Sequence, residues 1–593
     1  MVVRNSCSGQ HKLIIAFDIG TTNSGISYCI ILPEQIPEIR GVTRFPGQKT
    51  GSGNAKVPSI LYYDDGGNVK AAGNQALEMD VVETATDEEW LKAEWWKLHL
   101  LPKHLVSGHL KEDDMPPLPR GKSAVDVLSD FIRYLFQCAK TYIEEHHMRF
   151  KWSSIENSIE FVFTHPNSWD GTQQQQYRVA VERAGLVPST LEGQSRIHLI
   201  TEGEASLRYY VSNLSAQPAN AEAQGVVIID AGGGTIDLSM YSMNFNPISC
   251  DEIAPAECRL QGSMFVSRRA TDLLKRKLQG SPHCSAEEID ALTREFDQKT
   301  KTTISSADKP VYLKIGTPRY NNLQYDIKRG ALKLSGEEIA SLFNESINAI
   351  IEAFDRQRRA ANSKISVVFL VGGLGTNGLL WSHLYSYFEG RGIKLSRPDN
   401  DINKAVANGA LLSRIYPENH LVKFRVARAT YGIPHYVFVD ENNLEHLHRK
   451  GKWEKHSSGR CRIPGAFDPI LRKGDPIDDQ KEIRHPFSTS RLDQTGFADH
   501  QVRIMCYQGA MANPRWMDED ESSFCELCTI RADLRKAAQN SVALKTESGE
   551  TYYQVHYNVV TLFRNTELSA QIAWWANRTE ERRASILLVC HIC

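Results

Sequence analysis

A chain of 593 residues is longer than one hydrophobic core usually serves, so several packing units are expected. Its composition, 41% hydrophobic and 24% charged, is that of an ordinary globular protein and excludes global disorder, while 69 Lys and Arg against 71 Asp and Glu leave a formal charge of -2 and exclude a general basic field for nucleic acid or an anionic membrane. The 12 cysteines are scattered, and no apolar run approaches the about 18 residues of a membrane span, so the expected compartment is reducing, the cytoplasm or the nucleus.

After a polar stretch from Met1 to Lys12, Leu13 to Phe17 is an apolar run ending in Asp18. Gly20, Thr21, Thr22 and Asn23 then form a small-residue turn, and a second apolar run reaches Leu32, which predicts a β-hairpin. Ile159 to Thr164 reads as a strand stopped by Pro166, and Asp170 to Gly185 as a helix ending at glycine. From Val226 the first plan returns: an apolar strand ending in Asp230, a tip of Gly232, Gly233, Gly234 and Thr235, then Asp237 and a second strand. A repeat of this kind predicts a duplicated domain. Ser335 and Glu338 form a capping box, followed by one long amphipathic helix over Ile339, Leu342, Phe343, Ile347, Ile350, Ile351 and Phe354. A strand Ile365 to Val371 leads through Gly372 and Gly373 into an apolar helix from Leu379 to Phe388. The alternation predicts an α/β architecture with two similar lobes. Beyond Pro417 the pattern turns to strands, Val422 to Asp440 and Tyr552 to Phe563, with long loops expected over Glu445 to Arg460, His485 to His500 and Asp518 to Ser523. The expected divisions are 1–11 as a tail, 12–224 and 225–417 as the two lobes, and 418–593 as a mostly β region.

A polyphosphate needs many hydrogen-bond donors and a divalent cation, and glycine lets backbone N–H groups come close to it. Both hairpin tips meet that need. Asp18 and Asp230, each ending an apolar strand, are the candidate pair for a hydrated magnesium ion, held through water.

These residues also carry a resemblance. The segment from Asp18 to Ser24 resembles the first phosphate loop of the heat-shock 70 (DnaK-like) chaperones in the actin-like ATPase superfamily, and Asp230 to Asp237 resembles the second. Val371-Gly372-Gly373 resembles the loop that closes on adenosine, Lys404 to Ala410 the helix after it, and Ile200 to Ser206 the segment that carries a glutamate near the attacking water. The likeness covers about residues 12–417 and is nearest to the short, divergent type-twelve branch. It implies a two-lobed, duplicated ribonuclease H-like domain that binds ATP or ADP with Mg2+ and hydrolyses ATP to control protein clients, with cochaperones as further partners. Carried over by position, it gives Gly20, Thr21, Thr22 and Asn23 to the phosphates from one side and Gly232, Gly233, Gly234 and Thr235 from the other. Glu202 and Asp230 would place the water, with Glu204 as an alternative to Glu202, and Lys97 would offset charge in phosphoryl transfer. Gly262, Lys301, Ser305, Gly372 and Gly373 would hold the nucleoside.

The chain also departs from the family. Leu374 and Thr376 stand where a serine and an arginine usually meet the nucleoside, Gln261 to Phe265 keeps one glycine of a usual pair and loses both acids, and no acidic, leucine-rich linker follows Tyr416. Two rival readings remain: a small-molecule, sugar-type kinase of the same fold, and a nucleotide sensor or scaffold that does not hydrolyse. Gly373 to Gly378 spells G-x-G-x-x-G but falls at the end of the α/β region, which argues against a dinucleotide site. Cys525 and Cys528 form a C-x-x-C without a second pair at finger spacing; Cys590 and Cys593 are far away in sequence.

Overall fold

The structure, a computed structural model, describes residues 12–48, 55–102, 115–147, 152–169, 171–214, 222–361, 363–398, 404–416, 421–478, 481–564, 567–576, 579–582 and 586–587. The stretch 1–11, Pro417, Cys590 and Cys593 lie outside the described residues. The chain packs as two compact units, one of residues 1–169 and 176–422, the other of 170–175 and 423–593. Among the described residues no helix is long and apolar enough to cross a membrane.

Two sheets of the first unit share one plan. In the first, β1 (Lys12–Ile19) pairs antiparallel with β2 (Asn23–Ile31), and β2 with β3 (Ile39–Gly41) and, at its other end, β4 (Lys56–Pro58). On the other side β1 runs parallel to β5 (Glu160–His165), and β5 to β6 (Ile197–Thr201). In the second sheet, β7 (Gln224–Ala231) pairs antiparallel with β8 (Ile236–Phe245), and β8 with β9 (Ile248–Arg259). There β7 runs parallel to β10 (Ile365–Val371), and β10 to β11 (Lys394–Ser396). The strand orders β3-β2-β1-β5-β6 and β9-β8-β7-β10-β11 are the same, so the repeat read from two loops extends to whole sheets. Continuous apolar runs such as Leu13 to Phe17 and Val226 to Ile229 are fully buried because both faces of these strands are covered.

Helices supply the cover. The face of α1 (Ala124–His146) with Val127, Leu128, Phe131, Ile132 and Leu135 packs on the first sheet. Between the sheets, α2 (Glu202–Ser212) gives Ala205 to a core with Ile14, Ala16 and Val162, and Leu207 and Val211 to one with Val226 and Ile228. After α3 (Ser263–Lys277) and α4 (Asn344–Ala361), α5 (Ala405–Ile415) adds Val406, Ala410 and Leu411 to the first of those cores and Ala405 to the second. Gly409 makes the crossing possible: a Cβ there would lie 1.8 Å from the carbonyl oxygen of Ala205.

The long-helix and loop expectations need correction. The long helix after the Ser335 and Glu338 capping box is two, Gly336–Ser341 and α4, because Leu342 and Phe343 bond back three residues and both turn into the core. In the second unit, the expected loop His485 to His500 is largely the strand Ile483–Arg491, followed by a short 3-10 turn that buries Phe497. That strand pairs along its whole length with Thr551–Arg564, which the alternation does signal. Glu445 to Arg460 carries the helix Leu444–His448 and the strand Glu454–Lys455, and Asp518 to Ser523 is two 3-10 turns anchored by Arg449 on Asp518. A core of Ile504, Cys528 and Ile530 from one sheet and Val559, Ile572 and Trp574 from the other holds this unit together. Cys525 stands opposite Cys506 and Cys528 opposite Ile504, and no group of three His, Cys, Asp or Glu among the described residues could hold a metal.

Candidate nucleotide site

Both hairpin tips of the first unit line one cavity of about 610 Å³, within the range of small-molecule sites. Asp18, Gly20, Thr21, Thr22, Asn23, Lys97, Glu202, Asp230, Gly232, Gly233, Gly234, Thr235, Lys301, Gly372 and Gly373 all lie in its wall. The tips approach so closely that a Cβ on Gly233 would fall 2.3 Å from Thr22 Oγ1, and one on Gly234 2.5 Å from Thr21 Oγ1. Gly372 sits at φ +85, and a Cβ there would meet Asp230 Oδ1 at 2.3 Å. Gly233 and Gly234 are required by the closeness of the facing tip, and Gly372 by both space and its left-handed backbone.

The second tip is docked on a helix. The N–H groups of Ser263 and Met264 donate to the carbonyls of Gly232 and Gly233 at 3.0 and 2.9 Å, and Gly262 N donates to Gly234 O at 3.2 Å. Gly262 does not line the cavity; a side chain on it would strike Gly233 O at 2.5 Å, so its role is to seat the loop. Ser305 is also outside the wall, packed where a Cβ of Gly378 would be 2.8 Å away. Lys301 faces the cavity and binds Asp297 Oδ1 and Ser267 Oγ, each at 2.8 Å. Asn377 donates to the carbonyl of Lys301 at 2.8 Å, tying this segment to the turn after Gly373. Thr376 spends its hydroxyl on Gly373 O, at 2.8 Å.

At the other end of the cavity, Lys97 is 5% exposed, buried beside Trp96 rather than on the surface. Its Nζ donates to Ile19 O at 2.6 Å and to Glu202 Oε1 at 3.1 Å, and lies 5.4 Å from the Trp169 ring centre. Thr201, which caps α2 by accepting from Glu204 N, fixes where Glu202 begins the helix. Glu204, the alternative, is outside the cavity wall and bound to Arg208 at 2.9 Å. Burial pushes the Glu202 carboxyl up to about 7 against the pull of Lys97, with Asp237 and Asp18 adding to the rise.

The two aspartates differ in company. Asp18 accepts from Lys56 Nζ at 2.9 Å and from Thr164 Oγ1 at 3.2 Å. Asp230 stands opposite Asp237 in register, with Val371 beside it on the parallel strand. Burial first, then the charges of Glu202, Asp18 and Asp237, hold the Asp230 carboxyl well above the usual carboxylate range. Asp237 is raised by burial as well, although Asn167 N donates to it at 2.8 Å. No three such groups gather to ligate a metal directly among the described residues, but Asp18 and Asp230 are hard oxygen donors of the kind that suits a magnesium ion keeping most of its water. Lys56, Thr164 and Asn167 have no sequence signal of their own: nothing local marks them, and only strand pairing brings them to the aspartates.

No protein-family model matches the chain. It is 22% identical over 499 residues to heat shock 70 kDa protein 12A of Mus musculus, covering 71% of this chain and 72% of that protein. To heat shock 70 kDa protein 12B of Homo sapiens it is 21% identical over 514 residues, 73% and 72% of the two chains. A bacterial chaperone protein, the HscA homolog of Polynucleobacter necessarius subsp. necessarius (strain STIR1), matches at 24% over 244 residues, 40% of this chain and 33% of its own.

Proposed function

We propose that this chain, a divergent relative of the heat shock 70 kDa proteins of the twelve type, binds ATP in the cavity and hydrolyses it slowly, as a conformational switch acting on protein clients. The observation that carries the reading is the buried Lys97 and Glu202 pair lining the same cavity as two glycine-rich, aspartate-ended hairpin tips. On this reading the two sheets are the centres of two actin-like lobes, and residues 418–593 form the region that meets clients or cochaperones.

Thr21, Thr22, Asn23 and the backbone of Gly20 hold the phosphates from one tip, and Gly232, Gly233, Gly234 and Thr235 from the other. Gly372, Gly373 and Lys301 hold the nucleoside, while Gly262 and Ser305 support those loops from behind. Asp18 and Asp230 would hold a magnesium ion, which would supply charge neutralisation to the terminal phosphate. Glu202 accepts the proton of the attacking water; a base near neutrality is both available and strong enough at physiological pH. Lys97 stabilises the charge that develops on the transferred group, a contribution worth about 100-fold or more when such a donor is preorganised.

The test is single-turnover ATP hydrolysis with magnesium by the wild type, Asp230→Ala and Lys97→Ala, with nucleotide binding followed separately. Loss of hydrolysis with binding kept supports the switch ATPase. Tight binding with no wild-type turnover means a sensor, phosphate transfer to a panel of sugars means a kinase, and no binding rejects the nucleotide reading.

A further inference from the structure

Lys56 enters the cavity by a route that the strand pairing explains. On β1, Asp18 stands opposite Gly25 of β2, and Gly25 stands opposite Lys56 of β4. The three lie in one row across the sheet, so their side-chain positions share a face. The middle position has no side chain, and the Lys56 stem spans it to bring Nζ to 2.9 Å from Asp18 Oδ2. The side chains of Lys56 and Asp18 are only 19% and 7% exposed, and Lys56 is part of the cavity wall together with Asp18, Thr21, Thr22 and Asp230. An ammonium has three N–H donors, and Asp18 takes one.

A hydrated divalent ion at this end of the cavity would have two tasks: to neutralise the carboxylates and to offer positive charge to phosphate oxygens. A lysine ammonium held against Asp18 already does the first for that carboxylate and, in the cavity wall, is placed for the second. A carboxylate so engaged is also a weaker anchor for an incoming ion, because the ion must share or displace an existing charge-assisted bond. We infer that Lys56 is a tethered cation of the phosphate site, which lets this chain hold a nucleoside polyphosphate without a divalent ion and makes its nucleotide binding weakly dependent on magnesium. The inference rests on the nucleotide reading above and adds to it a residue with a measurable signature. Val57, Pro58 and Ser59 keep Lys56 in place: Pro58 pairs with Asn23, and Ser59 Oγ donates to Gly20 O at 2.7 Å, so β4 is fastened to the phosphate tip itself.

The experiment is equilibrium binding of ATP to the full chain, by calorimetry, with magnesium and again with excess chelator, for the wild type, Lys56→Met and Lys56→Arg. The wild type is expected to lose less than about tenfold in affinity on chelation, and Lys56→Met about thirtyfold more than that, the size of one charge-assisted hydrogen bond. Lys56→Arg, which keeps the charge, should stay near the wild type, and it serves as the control should the methionine variant fold poorly. Binding by the wild type with magnesium only, or an equal loss by Lys56→Met in both conditions, overturns the inference while leaving the nucleotide reading intact. Absence of binding in both conditions rejects both.

Discussion

The two sheets of the first unit carry the same row of four strands with different residues in it. In the first sheet the row reads Thr164, Asp18, Gly25, Lys56; in the second it reads Val371, Asp230, Asp237, Cys258. One aspartate therefore has a hydroxyl donor on one side and an ammonium reaching across a glycine from the other. Its counterpart has a methyl group on one side and a second carboxylate on the other, the pairing that costs stability in a sheet. The repeat has kept its backbone and divided its electrostatics: one half brings its own counter-charge, the other is left short of one. An asymmetric site of this kind can rest stably on the first half and respond to a ligand through the second.

The largest expected effect sharpens this contrast at the chemistry. Glu202→Gln should lower single-turnover hydrolysis about 100-fold or more with nucleotide affinity unchanged, since the amide cannot accept the proton of the attacking water. A loss below tenfold would remove Glu202 from the reaction. Next, the two aspartates should part company in urea unfolding without nucleotide. Asp18→Asn strands the buried Lys56 ammonium and should cost about 3 kcal/mol, whereas Asp230→Asn relieves a buried like charge and should cost nothing or stabilise. Equal losses would break the comparison.

The pH dependence follows from the raised carboxyls. Lys97, Asp237, Asp18, Asp230 and Lys56 all act on Glu202, which releases its proton near 4.5 when unfolded but near 7 when folded. The folded chain binds more protons across that window, so its stability should fall as pH rises from about 4.5 to 7, while hydrolysis should rise through about 7. Thermal melts of Glu202→Gln should show a flatter fall. The smallest effect tests the row directly: Val371→Thr gives Asp230 the hydroxyl that Asp18 has. It should lower the Asp230 pKa, lessen the loss of stability with rising pH, and shift stability at neutral pH by no more than about 1 kcal/mol.

What the sequence made legible was local. Both hairpins, the tips, the Ser335 capping box and the apolar strands are written in runs of neighbouring residues, and the structure has them where the patterns put them. Lys97 could be named from its segment, but its burial depends on the Trp169 ring that lies against it and on α1, whose Phe131 packs on the neighbouring Trp96. Lys56 was invisible, because its partner is 38 positions away and the path to it depends on a glycine in a third strand. The family resemblance puts Gly262 near the nucleoside, whereas its tight contact with the Gly233 carbonyl is a matter of helix docking that no spacing records. The break at Leu342 and Phe343 was hidden because a continuous apolar stripe reads the same whether or not one turn of the helix tightens.

The contact of Gly409 with Ala205 has a mechanical consequence. α2 and α5 each contribute side chains to both central cores, and at their crossing no side chain separates the two backbones. Helices kept apart by interlocking side chains must ratchet from one groove to the next, but a bare crossing works as the pin of a pair of scissors. It sets the distance between the two helices and joins, at one point, the two cores that they share. A methyl group at that point, Gly409→Ala, would lift the pin out of its seat, and the disturbance would reach both sheets at once.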